Sequence, residues 1–135
     1  METVVKGTNH IRFFSQNATL LPGDSITSAS GRYRVRLQSD NHLLIQERTR
    51  TEEGKTKWEP VRLSGIARIV TRVWFERNRR LVVYGNVKGK EQPIYISCNA
   101  INAISCVMQD DGNLVLNDSN NRPVWSWYSE GFTAV

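Results

Sequence analysis

Apolar residues along this chain recur at every second position, and no window repeats them at three and four over three helical turns. In Arg32-Tyr33-Arg34-Val35-Arg36-Leu37 the odd positions are apolar or aromatic and the even ones basic, the pattern of a strand with one buried and one wet face. Short runs of the same kind surround Val73-Trp74-Phe75, Leu81-Val82-Val83-Tyr84, Cys106-Val107-Met108 and Leu114-Val115-Leu116. Turn signals separate them: Pro22-Gly23-Asp24, Ser30-Gly31, Gly85-Asn86, Asp111-Gly112-Asn113 and Asn120-Asn121-Arg122-Pro123. Many short strands with frequent turns predict an all-β sandwich, barrel or prism.

A weak internal repeat narrows this. Windows beginning at Gln38, Glu76 and Gln109 align, with Leu43/Ile45, Leu81/Val83 and Leu114/Leu116 on one strand face. Just upstream, Val35/Leu37, Val73/Phe75 and Cys106/Met108 continue that face. Downstream of each window comes an aromatic residue, Trp58, Tyr95 or Trp125, expected to point toward a shared axis. Three such units would bury together a core that none could bury alone.

Composition then removes several function classes. The chain has 135 residues, 39% of them hydrophobic, enough for one domain with a core. No apolar stretch is long enough to span a membrane, and the segment Met1 to Gly7 lacks the apolar run of a signal peptide. The expected location is therefore cytoplasmic, or outside after release without a signal peptide. Cys98 and Cys106 lack the C-x-x-C spacing of zinc or redox sites. No metal and no cofactor are expected; Cys106, in phase with Val35 and Val73, is expected as a buried thiol, with a Cys98 bridge left open. His10 and His42 are far apart, and no serine or cysteine stands in a nucleophile context. Asp110 and Asp111 are neighbours that a strand would send to opposite faces, so they do not make a glycosidase pair. An enzyme is not expected.

The net charge of +5 is uneven. Residues 66–90 hold seven basic residues, Arg68, Arg72, Arg77, Arg79, Arg80, Lys88 and Lys90, against one acidic, whereas residues 97–135 hold Asp110, Asp111, Asp118 and Glu130 against one basic.

The three windows resemble the Q-x-D-x-N-x-V-x-Y motif of the monocot mannose-binding, or bulb-type, lectins. The resemblance covers roughly residues 18 to 128, and the third copy carries most of it: Gln109, Asp111, Asn113 and Val115 match, with Asn117 in place of Tyr. It implies a β-prism of type II, three antiparallel four-stranded sheets around a pseudo-threefold axis. It also implies one potential sugar site per sheet that works without metal, and partners that are mannose-type glycans or glycoproteins. The domain is expected to span 1–135, with a leading segment 1–17 and repeats at about 18–60, 61–97 and 98–128. In the family, Asp and Asn hold the axial 2-hydroxyl, Gln the 3-hydroxyl and Tyr the 4-hydroxyl, while Val packs on ring carbons. Amide and carboxylate groups together supply the donors and acceptors a row of hydroxyls needs. Carried over, these roles fall on Gln109, Asp111, Asn113 and Val115; Asn117 shortens or loses the 4-hydroxyl contact.

The first copy keeps Gln38 and Asp40 but has His42, Leu44 and Gln46 at the other positions, and reads either as a scaffold face or as a weak second site. The second keeps only Val82 and Tyr84; Glu76, Asn78 and Arg80 make it a degenerate third site. Members of the family commonly dimerise by exchanging C-terminal strands. The apolar tail from Trp125 to Phe132 suits a homodimer of that kind, with Trp127 and Tyr128 packing in the partner. The alternative is an interaction module on the same fold that has lost its sugar sites and binds an anionic partner through the basic middle repeat. Nucleic acid is not the expected partner, because Phe75, one of the aromatics among those cations, is in phase with the core.

Overall fold

The computed structural model describes residues 10–11, 14–77, 79–98 and 100–135. Among these residues thirteen strands follow in chain order: β1 (His10–Ile11), β2 (Thr19–Leu20), β3 (Ser25–Thr27), β4 (Tyr33–Leu37), β5 (Leu43–Arg50), β6 (Thr56–Leu63), β7 (Val70–Phe75), β8 (Leu81–Val87), β9 (Lys90–Ile96), β10 (Ser105–Met108), β11 (Leu114–Asn117), β12 (Pro123–Ser126) and β13 (Thr133–Ala134). They form three sheets in the orders β1-β3-β4-β5-β6, β13-β9-β8-β7-β2 and β10-β11-β12. No described residue is helical.

Each sheet is built on one three-stranded meander, and the three meanders have the same register. Val35 faces Ile45 and Leu37 faces Leu43. Val73 faces Val83 and Phe75 faces Leu81, while Cys106 faces Leu116 and Met108 faces Leu114. All twelve side chains are buried in one cluster, so the alternation in the sequence does point each sheet's apolar face at a shared core. A register shift interrupts each middle strand at the same place, between Ile45/Gln46, Val83/Tyr84 and Leu116/Asn117, and a proline lies opposite each: Pro60, Pro93 and Pro123. Proline donates no ladder hydrogen bond, which fits it to a bulge on an outer strand.

The strand counts are five, three and five, and not four each, because of where the short strands go. The chain from Phe14 to Thr27 visits all three sheets in turn: Phe14 bridges Cys106, β2 pairs with β7, and β3 pairs with β4. β1 adds in parallel to β3, and β13 adds outside β9. The expected leading segment 1–17 falls mostly outside the described residues, as does Asn78.

One core expectation needs correction. Beyond the bulges, Tyr95 and Trp125 face Val83 and Leu116, but the residue facing Ile45 is Arg62, not Trp58. Trp125 is 1% exposed, whereas Trp58 is half-buried under the Arg34 guanidinium, 4.0 Å away. The reason is the length of the β5–β6 hairpin, eight residues a strand against four in β11 and β12; Trp58 pairs with Arg48 in the extension. Trp127 packs in its own chain's core, edge-on to Phe132 at 5.2 Å, and β13 closes on its own β9. Cys98 and Cys106 are free thiols; burial pushes the Cys106 thiol up and leaves it an inert apolar filler.

Candidate functional site

The third motif is a turn followed by a strand, and not the continuous strand that its spacing of two predicts. The Gly112 N–H donates to the Gln109 carbonyl at 3.0 Å, and the Gln109 N–H to the Asn113 carbonyl at 2.9 Å. The reversal needs a left-handed residue, and Gly112 supplies it with φ 86°. The Asp111 carboxylate accepts the Asn113 N–H at 3.0 Å and, from the Gln109 amide in the orientation that satisfies both groups, a bond of 3.2 Å. Asn113 Oδ1 accepts the Tyr128 N–H at 3.2 Å, which sets the orientation of the amide. Three polar groups with donor and acceptor capacity therefore share one tight turn, with exposed Asp111 between half-buried Gln109 and Asn113. Val115 and Asn117 lie deeper, 3% and 7% exposed, so the polar strip is shorter than five positions.

Residues from the first repeat support this turn, and spacing gives no sign of them. The Ser30 hydroxyl and N–H hold the Asp110 carboxyl below the usual carboxylate range, the N–H at 2.9 Å. A Cβ added at Gly112 would stand 3.1 Å from the Tyr128 hydroxyl and 3.1 Å from the Tyr33 ring. Tyr128 in turn lies under the Arg62 guanidinium at 3.8 Å. Arg62, absent from the core position its register assigns it, thus braces the third repeat from outside.

The first motif makes the same turn with different chemistry. The Asn41 N–H donates to the Gln38 carbonyl and the Gln38 N–H to the His42 carbonyl, both at 2.8 Å, and Asn41 takes the left-handed position with φ 71°. Asparagine tolerates that conformation better than most residues. The Asp40 carboxylate meets His42 Nδ1 at 3.2 Å and accepts the His42 N–H at 3.2 Å, which holds its carboxyl below the usual range. Leu44 and Gln46 are each 5% exposed, and Gln46 Oε1 is taken by Arg34 Nε at 2.7 Å. Burial, then the neighbouring Arg36, lowers the Arg34 guanidinium to about 10, which still leaves it charged at neutral pH.

The second motif is closed by its own charges. The turn bonds recur between Glu76, Arg79 and Arg80. The Glu76 carboxylate is engaged by Arg79 at 3.3 Å and Arg80 at 3.5 Å. Val82 is buried, and the Tyr84 ring is covered by Arg72 at 3.6 Å, itself paired with Glu91 at 2.7 Å. Neither a free carboxylate nor an open ring is left for a sugar. Ion pairs also thin the basic cluster: Arg72, Arg79 and Arg80 are engaged, while Arg68, Arg77, Lys88 and Lys90 are exposed.

Among the described residues no group of three His, Cys, Asp or Glu side chains is placed to hold a metal ion. Among the same residues no helix is long and apolar enough to cross a membrane.

Three sheets sharing one core, with a polar turn at the same place on each, make up a β-prism, and solved structures share it. A lectin from Marasmius oreades superposes with a TM-score of 0.62 at 18% identity, covering 87% of this chain and 92% of its own. A monomeric monocot mannose-binding lectin from Gastrodia elata gives 0.57 at 18% identity, covering 88% and 98%. At that identity the likeness is one of fold. No protein-family model and no curated protein sequence matches this chain.

Proposed function

We propose that this protein is a non-enzymatic lectin that binds mannose or mannose-containing glycans, without metal, at the turn of its third repeat. The observation that carries the reading is the Gln109–Asp111–Asn113 constellation, where a carboxylate and two amides held by backbone bonds can complement adjacent sugar hydroxyls. The fold supports it, since both solved structures above are lectins and the one from Gastrodia elata is described as mannose-binding. The three repeats act as one domain, in which the second supplies scaffold. One shallow site gives about millimolar binding, near −4 kcal/mol, so useful avidity requires sites presented together. A homodimer that exchanges β13 would present two.

The test is a glycan array at low and high salt with free mannose as competitor, run on the protein and on Asp111→Ala. Mannose-competed binding that ignores salt and disappears in the variant supports the reading. Binding that mannose leaves untouched and that falls steeply with salt would point to the basic middle repeat and an anionic partner instead.

A further inference from the structure

The three meanders share one more backbone bond, but the residue after it differs between them. The N–H groups of Ser64, Ser97 and Trp127 donate to the carbonyls of Leu43, Leu81 and Leu114, at 3.3, 3.0 and 2.9 Å. The next residue in the third repeat is Tyr128, whose side chain lies against the motif turn at Gly112. In the first repeat it is Gly65, with φ 77° and nothing within 4 Å of where a Cβ would stand. The first repeat therefore has no side chain at the position from which Tyr128 braces the third. There the surface has a groove of about 320 Å³, lined by the polar Gln38 and His42 and by the apolar Leu43, Leu44, Leu63 and Ile66.

Both walls are fixed. The Asn41 Nδ2 donates to the Val70 carbonyl at 2.8 Å and the Val70 N–H returns to the Asn41 carbonyl at 3.2 Å, which ties the motif turn to the far end of the loop. The Ile66 N–H donates to Ser64 Oγ at 3.2 Å. The groove therefore exists before any ligand arrives. Leu63 beside it is 71% exposed. The polar lining is short, because Gln46 is held by Arg34, which leaves Gln38 and His42.

We infer that this groove is a second ligand site, for a glycoside whose aglycone or ring substituent is apolar: the sugar on the Gln38–His42 turn, the alkyl, acyl or aryl group along Leu63 and Ile66. A short polar head beside a preformed apolar channel matches an amphiphilic ligand and gains little from a bare sugar. The inference rests on the reading that motif turns of this fold take sugar hydroxyls, and it assigns the first repeat a specificity the third lacks.

The test compares methyl and hexyl α-mannoside by methyl and amide NMR. The hexyl glycoside should perturb the methyl groups of Leu63, Ile66 and Ala67 and bind there about tenfold tighter than the methyl glycoside, as burial of about two methylenes would give. Ala67→Trp, which fills the groove, should bring that ratio to one and leave methyl mannoside shifts at 109–113 in place; Leu63→Ser, at an exposed position, should reduce it if the first variant does not fold. Equal binding of the two glycosides, or shifts confined to 109–113, would overturn the inference and leave the third site standing. Groove shifts with none at 109–113 would overturn the third site and keep the groove. No shifts in either place would remove both.

Discussion

The first and third repeats share a backbone and differ in what they hang on it. Both have the turn closed by two backbone bonds, the inward pairs, the bulge and the proline opposite it. Yet the third has two amides, Gln109 and Asn113, about its Asp111 carboxylate, while the first has an imidazole, His42, against Asp40 and its Gln46 under Arg34. At the strand position that pairs with the inward residue before the bulge, the third has buried Trp125 and the first has exposed Arg62. The fold depends on the inward face and the turn geometry, which both repeats keep. The outward face carries no such duty, so binding chemistry can be lost or replaced there without loss of the prism.

The two repeats should differ most at the core position. Trp125→Ala should cost about 3–5 kcal/mol of stability, because it empties a fully buried site and frees the Gly131 carbonyl that Trp125 Nε1 reaches at 2.8 Å. Arg62→Ala, which removes only an exposed stack on Tyr128, should cost about 1 kcal/mol or less. Denaturant midpoints at constant m-value would show it, and equal losses would mean that Arg62 supports the core after all.

Next in size is the binding face. Asp111→Ala should weaken mannoside binding by about 1.5–3 kcal/mol, ten- to hundredfold, with the melting curve nearly unchanged, since exposed Asp111 bonds mainly within its turn. His42→Ala should leave methyl mannoside affinity where it was. Titration calorimetry on both variants separates the two repeats.

A smaller effect is expected at the turn itself. Gly112→Ala must hold φ near 86° and place a Cβ 3.1 Å from two tyrosines, so a loss of about 1 kcal/mol or more is expected. Asn41→Gly, at the matching position, removes no such clash but loses the amide bond to Val70. The difference in melting temperature between the two variants measures how much the tyrosine brace adds.

The smallest effect concerns pH. Asp110 has a folded value below the ordinary aspartate value of about 3.9, so its contribution is complete above that value and is lost as pH falls through the lower folded one. Ser30→Ala should move the Asp110 midpoint upward in a carboxyl NMR titration. An unchanged midpoint would mean that the backbone N–H alone holds it.

Much of the fold is legible in the sequence because it is local. The inward pairs alternate within single strands, and the three windows sit at matching places, so period and repeat lead to the sheets and the shared core. The Asp111-Gly112 turn is readable too, although a spacing of two does not by itself show that half the motif leaves the strand. Trp58 misleads because the β5–β6 hairpin is longer than its counterparts, so distance along the chain no longer measures register. Pro60-Val61-Arg62 against Pro93-Ile94-Tyr95 and Pro123-Val124-Trp125 is the signal that points to Arg62. The braces on the third turn and the groove of the first are out of reach of the sequence, since Ser30, Tyr33, Arg62 and Tyr128 meet only through the closure of the prism.

Sugar binding at the third turn is tested most directly by an amide NMR titration of the intact protein with methyl α-mannoside in the presence of a chelator. The expected result is saturable shifts centred on Gln109, Asp111, Asn113 and Tyr128, at about millimolar affinity, with the Glu76–Tyr84 segment unmoved. Shifts centred on the second repeat, or none at the third turn up to high sugar concentration, would contradict it.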